Sequence, residues 1–202
     1  GAVVTLQVTV GSFVLSSLIG LVFALMMVSK VRSVALFAIG VVNVIRGLPI
    51  IVQLFYIYFV LPDFGIQLSA MQAGVIGLGI AYSAYQAENF RAGIQAVPQG
   101  QREAAAALGM SERRIMYRVV LPQAVRIVTP AIGNEFIAMI KDSALVSWIG
   151  VQELLWRARI EGSANFRSLE MYLTAAAIYW ILTMVLSLAQ DRLEKRMARG
   201  DR

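Results

Sequence analysis

Long uncharged apolar runs alternate with short polar segments along this chain, and that alternation predicts its elements. Residues Ala2 to Ser29 carry no charge. As a helix rising about 1.5 Å per residue, this run reaches about 40 Å, enough to cross a hydrocarbon core of about 30 Å with tilt. It is too long and unbroken for a signal peptide, and no small-residue cleavage site follows it. The chain begins at Gly1 without a methionine, which predicts missing N-terminal residues. Lys30 and Arg32 end the span. The next apolar stretch, Val34 to Val60, is interrupted by Arg46, Gly47 and Pro49. Pro49 has no amide hydrogen and biases Leu48 away from helix, so we read a short helix before Arg46 and a second span from about Pro49 to Leu61. Pro62-Asp63-Phe64-Gly65 reads as a turn.

Span three runs from about Ala70 to Val97 and carries Glu88 and Arg91. Pro98 to Leu121 is polar and charged. Span four, about Pro122 to Ser147, carries Arg126, Glu135, Lys141 and Asp142. A polar segment from about Val151 to Arg167 leads to span five, about Leu169 to Gln190, and a charged tail. The expectation is an all-α integral membrane protein with about five transmembrane helices, forming one domain over residues 1–202. Small residues recur every fourth position: Ser12, Ser16, Gly20 and Ala24 in span one, and Ala73, Gly77 and Ala81 in span three. Such stripes let helix backbones approach closely in lipid.

Composition supports a membrane chain and removes several function classes. Hydrophobic residues make up 58% and charged residues 15%, against about 25% charged in soluble domains. Histidine and cysteine are absent. That excludes a Ser-His-Asp triad, an imidazole or thiolate metal site, disulfides and a cysteine nucleophile. The net charge of +6 is a topology signal rather than a nucleic-acid footprint. With the N-terminus outside, the inner segments hold Lys30, Arg32, Arg102, Arg113, Arg114, Arg118, Arg192, Lys195, Arg196, Arg199 and Arg202. The outer segments hold only Arg157, Arg159 and Arg167, so the tail is placed in the cytoplasm. The basic tail is read as this orientation signal ahead of a site for anionic lipid.

The segment 98–121 reads as two short helices joined at a glycine. Gln101-Arg102-Glu103-Ala104-Ala105-Ala106-Ala107 favours helix. Gly109 suits the left-handed residue that ends it. Ser111 can cap a second helix with Glu112 in its first turn. That helix runs to Leu121, and Pro122 starts span four. A helix this short is marginal alone in water, so it either docks into a groove on a partner or is an inert surface helix. Composition leaves the two open.

Glu103-Ala104-Ala105, Gly109, Val119 and Leu121-Pro122 together resemble the EAA loop of ABC importer membrane subunits, with Val119 where the family usually has Ile. Arg46-Gly47-Leu48-Pro49 with Val52-Gln53 is similar to a signature of the polar amino acid branch, the histidine, glutamine and arginine type, although Thr is commoner there than Leu48. Tyr85 to Glu88, Arg91-Ala92-Gly93-Ile94, Gly100-Gln101, Pro122-Gln123-Ala124, Gly133-Asn134, Lys141-Asp142-Ser143 and Ile149-Gly150-Val151 extend the likeness over about residues 3–197. The resemblance implies a type I ABC importer permease in a bacterial cytoplasmic (inner) membrane. Glu103, Ala104, Ala105 and Gly109 would couple it to a dimer of ATP-binding subunits. It further implies a second permease subunit, identical or a sister chain, and a periplasmic or lipid-anchored solute-binding protein. No cofactor is expected in this chain; ATP and magnesium would bind the partner. In agreement, Lys30, Lys141 and Lys195 are the only lysines and none follows a glycine, so no phosphate-binding Gly-Lys loop occurs.

Ionisable groups within spans usually face a cavity or a partner. Asn134 and Glu135 lie about 18 Å along span four from Pro122, level with Tyr82 and Tyr85, and Glu88 lies slightly inside. Tyr85, Glu88, Asn134 and Glu135 are therefore candidate pathway residues; the competing reading pairs Glu88 with Arg91 or Arg126. Adjacent on a helix, Lys141 and Asp142 point about 100° apart, so one faces the pathway and the other a neighbouring span; the resemblance, in which this motif lies near the periplasmic gate, implies a gate or structural-pairing role ahead of direct substrate contact. Arg46 is read as fixing the break before span two. Trp148, Trp156 and Trp180 fit interfacial anchoring or packing rather than a cation cage. An intramembrane enzyme finds no catalytic pair at recognisable spacing. A passive channel needs no ATPase-docking helix. A related importer for opines, methionine or another small solute is the remaining alternative.

Overall fold

The computed structural model describes residues 1–199, with side chains to Met197. Gly200, Asp201 and Arg202, and the side chain of Arg199, lie outside the described residues, so the inner-side count of basic residues is only partly placed. Every regular element among the described residues is helical. In chain order they are α1 (Ala2–Met27), α2 (Arg32–Gly47), α3 (Ile50–Phe55), α4 (Ala70–Ala96), α5 (Gln99–Ala107), α6 (Glu112–Ile115), α7 (Leu121–Asp142), α8 (Leu154–Ala164) and α9 (Ser168–Arg199). Among the described residues, Ala2–Met27, Glu112–Ile149 and Ser168–Met197 are long and apolar enough to cross a membrane. Arg32–Gly47 and Ile50–Phe64, bent by 98°, make a fourth if taken as one broken span. α4 has the length of a span at 27 residues, but its glycines and polar side chains leave it less apolar than the other three.

The α1–α4 pair forms the centre. Ser12, Ser16, Gly20 and Ala24 are all fully buried, as the four-residue stripe predicts. A Cβ on Gly11 would meet Val75, one on Gly79 would meet Leu15, and one on Gly20 would stand 2.6 Å from the Gln86 Cβ and 2.9 Å from the Ser83 carbonyl oxygen. Residue numbers rise together along both helices, so α1 and α4 run parallel. The Ser12 hydroxyl donates to the Val75 carbonyl at 3.2 Å, a polar bond suited to an interface without water. α7 returns antiparallel, closing on Gly93 through Ala124 and Val128.

The break between α2 and α3 falls where Pro49 predicts it. Leu48 and Pro49 are extended, with ψ of 135° each. The arm before the break, expected to be short, has 16 residues and nearly matches the arm after it, Ile50–Phe64, of which α3 forms the first 6. α3 then continues through a wide π turn, Tyr56–Val60, and a tight turn, Leu61–Phe64. The amide of Gln53 donates to the carbonyls of Ile45 (2.9 Å) and Leu48 (3.0 Å). It thereby satisfies groups that the end of α2 leaves open. α2 crosses α4 at Ala84 and Ala87, and α3 turns along it past Gly77.

A second π turn, Met116–Val120, joins α6 to α7. The sequence expected Pro122 to start a new span; instead one helical rod runs through it. Pro122 cannot donate to the preceding turn and its ring crowds that turn's carbonyl, and the wider turn accommodates both. At the far end α7 tightens into a turn over Ser143–Ile149, closed by Gly150 at φ +91°.

Candidate functional site: coupling segment and interior charged row

The end of α4 positions the α5 helix. Arg102 Nη2 donates to the Ile94 carbonyl at 2.7 Å, tying α5 to the last turn of α4. Gly109 has φ +74°, a conformation that costs an L side chain about 1–2 kcal/mol. Its amide donates to Ala106 at 2.9 Å, and the Met110 amide donates to Ala105 at 3.2 Å. These two bonds close the helix in the manner expected of a glycine end. Ser111 has the extended backbone of a cap, but its side chain makes no capping bond. The alanine face is not without packing. Ala105 is buried against Ile94, Val97, Ile115, Val120 and Ala124, so it supports the segment from inside, while Glu103, Ala104 and Gly109 are exposed. Leu108 stands 83% exposed at the tip. Sequence reasoning assigned it no role, although an apolar residue just before a helix-ending glycine is readable as a contact point. Lys30 and Glu112 form an exposed ion pair at 2.5 Å, worth under about 1 kcal/mol. Beside it, Lys30, Gln99, Arg102 and Glu103 border a cavity of about 440 Å³.

Deeper along α4 lies a row of polar side chains. Glu88 Oε2 accepts from Arg91 Nε at 2.8 Å and Nη2 at 2.5 Å. Its other oxygen accepts from Arg46 Nη1 at 3.4 Å. Arg91 is a partner that the pairing alternative named; Arg46, read only as part of the break, also reaches Glu88. Arg46 further stacks its guanidinium 5.5 Å from the centre of the Tyr85 ring. Tyr82 donates its hydroxyl to Asp142 Oδ2 at 2.7 Å. Glu135 lies among Asn89, Asp142 and Arg46. α2, α4 and α7 thus bring Tyr85, Glu88, Glu135 and Asp142 into one region. Asn134 stands on another face of α7, where its Oδ1 accepts from Gln190 on α9 at 3.3 Å. Lys141 also faces α9, in an open groove of about 520 Å³ with Tyr172, Tyr179 and Trp180. Trp148 and Trp156 each contact a guanidinium, Arg159 at 5.3 Å and Arg157 at 5.5 Å.

Sequence reasoning passed over Glu153. It is fully buried and caps α8, accepting from the amides of Leu155 and Trp156 at 2.9 and 2.7 Å. An acidic residue directly before a helical run was its one readable signal.

With that geometry in place, the comparisons with known proteins converge. The family model described as "binding-protein-dependent transport system inner membrane component" matches residues 16–199, and the chain belongs to that family. The L-cystine transport system permease protein TcyB of Bacillus subtilis (strain 168) is 40% identical over 98% of this chain and 86% of its own length. The arginine transport system permease protein ArtQ of the same organism is 36% identical over 100% of this chain and 92% of its own. Among solved structures, that of an amino acid ABC transporter with histidines is 44% identical and superimposes with a TM-score of 0.91, covering 97% of this chain and 92% of that one. The chain is therefore a transport subunit of an inner membrane rather than an enzyme, with the fold of a type I ABC importer permease. In such systems a separate ATP-binding subunit hydrolyses ATP.

Proposed function

We propose that this subunit carries a polar amino acid inward by alternating access, driven through segment 98–121 by a dimer of ATP-binding subunits. The observation that carries the coupling is the shape of that segment. A short helix ends at left-handed Gly109 and presents Glu103, Ala104 and Leu108 outward on a base held by Ala105. Small residues permit close docking, and Glu103 offers a carboxylate to a basic group on the ATPase. Relatives named for cystine and arginine transport, and a transporter solved with histidines, support a polar amino acid ahead of an opine or methionine.

Five passes, with the N-terminus outside and the tail inside, agree with the bias of basic residues and with the parallel run of α1 and α4. A second permease subunit would complete the pathway about a two-fold axis, and a solute-binding protein would deliver the substrate from outside. ATP and magnesium would be bound by the ATPase partner. In the pathway, Arg46 offers a cation to the substrate carboxylate, and Glu135 a carboxylate to its ammonium. Tyr85 and Glu88 hold Arg46, and Asn134 borders the α9 side. Asp142 and Lys141 would act at the outer gate.

Reconstitution with the ATP-binding and solute-binding partners tests the coupling. Glu103→Arg and Gly109→Asp are expected to insert normally yet lose substrate-stimulated ATP hydrolysis. Normal stimulation in either variant would sink the assignment.

A further inference from the structure

Glu153 is the one acidic residue among the described residues whose side chain is fully buried, and neither the coupling segment nor the charged row uses it. It sits beyond the end of α7 that points away from segment 98–121. Three helices meet on its carboxylate. Its α8 amide donors are those of Leu155 and Trp156. Tyr179 of α9 donates its hydroxyl at 2.5 Å. Thr5 of α1 donates at 3.5 Å and in turn accepts the Leu154 amide at 3.2 Å.

The two backbone donors belong to α8 and move with Glu153. The Tyr179 bond does not: it spans separate helices. Tyr179 is half-buried, and its ring forms part of the wall of the Lys141 groove, with Ala144 and Leu155 beside it. Moving the Tyr179 stretch of α9 away from the α7–α8 corner would therefore widen that groove, part its apolar contacts with Leu154 and strip one donor from a buried carboxylate. Leaving such a group under-satisfied is costly, and more so with no water nearby. In this structure the contact is made.

We propose that Glu153 is a positioning residue of the outer closure: it latches Tyr179 of α9 to the start of α8 and the first turn of α1, and releases Tyr179 when the outer side opens. This rests on the importer reading, which supplies an outer side that must open.

The chain contains no cysteine, so a single Ala144→Cys on the groove wall can report opening. The assembled transporter, in right-side-out vesicles, is treated with a membrane-impermeant thiol reagent, with and without ATP and the solute-binding protein. In the parent, labelling accelerates when both are added. Tyr179→Phe keeps the ring and leaves Glu153 its other donors. It is expected to raise the unstimulated labelling rate about tenfold, the population shift that about 1.4 kcal/mol produces, and to shrink the stimulation ratio. Glu153→Gln is expected to act in the same direction. A merely structural role predicts a lower melting temperature with an unchanged labelling ratio, and that result overturns the latch. If Glu153→Gln does not assemble, Tyr179→Phe decides alone. If a parent that transports substrate shows no acceleration, the groove does not open with the outer side and the latch falls; a parent that does not transport at all sinks the importer reading instead. A stimulated parent with an unaltered Tyr179→Phe variant overturns the latch only.

Discussion

Glu88 carries two guanidinium groups on one carboxylate, and its side chain is 22% exposed. Removing it leaves Arg46 and Arg91, 42% and 35% exposed, without their shared counter-charge, a loss that solvent partly screens. Glu88→Gln is therefore expected to lower the melting temperature clearly more than Glu103→Gln, whose carboxylate is exposed. The double variant Glu88→Gln with Arg91→Gln should regain part of the loss, because one stranded cation is gone. Thermal unfolding in detergent of the parent, Glu88→Gln, Arg91→Gln and the double variant measures this coupling. Additive losses would show that the pair does not interact. Residue identities marked this region in advance, since few charges fall inside spans. The partners were not marked: Arg46 lies 42 residues from Glu88, and the packing of Ala38 and Val42 of α2 on Ala84 and Ala87 of α4 brings it there.

At the scale of elements, the parallel contact of α1 with α4 depends on glycines at the crossing points. A side chain on Gly20 would start 2.6 Å from the Gln86 Cβ and 2.9 Å from a backbone oxygen, whereas one on Gly40 meets nothing within 4 Å. Gly20→Leu is expected to destabilise the protein by about 1–3 kcal/mol or more through overpacking, and Gly40→Leu to be near neutral. The fraction remaining monodisperse after graded heating compares the two; equal losses would contradict the packing described. These contacts were legible because a four-residue stripe of small side chains has few uses in an apolar helix. The π turns before Pro62 and Pro122 were not. Proline forbids one hydrogen bond, but whether the chain breaks or widens depends on what holds the helix on both sides. Pro49 breaks, with Gln53 capping the loose end. Pro122 bends into a continuous rod, anchored by Ile115, Val120 and Ala124 in one apolar cluster. Ala105 illustrates the same limit: four consecutive alanines show a helix but not which of them turns inward.

For the whole molecule, the proposals concern two surfaces at opposite ends. Segment 98–121 is the exposed, glycine-ended helix proposed to dock on an ATPase, and the Glu153–Tyr179 corner is the contact proposed to close the end beyond α7. Between them lies a row of charges suited to a zwitterion. Motif residues scattered over nearly the whole sequence made the transport class readable. Glu153 escaped because its partners Thr5 and Tyr179 are 148 and 26 residues away, and no local pattern connects them. The central claim is that ATP hydrolysis on a partner chain drives an amino acid through this subunit. The most direct measurement is uptake of labelled amino acids, screened one by one, into proteoliposomes holding the permease with its ATP-binding subunits, with the solute-binding protein outside and ATP trapped within. The account predicts accumulation of at least one polar amino acid that requires ATP and the binding protein and is abolished by Glu103→Arg. Uptake that proceeds equally without ATP would contradict it.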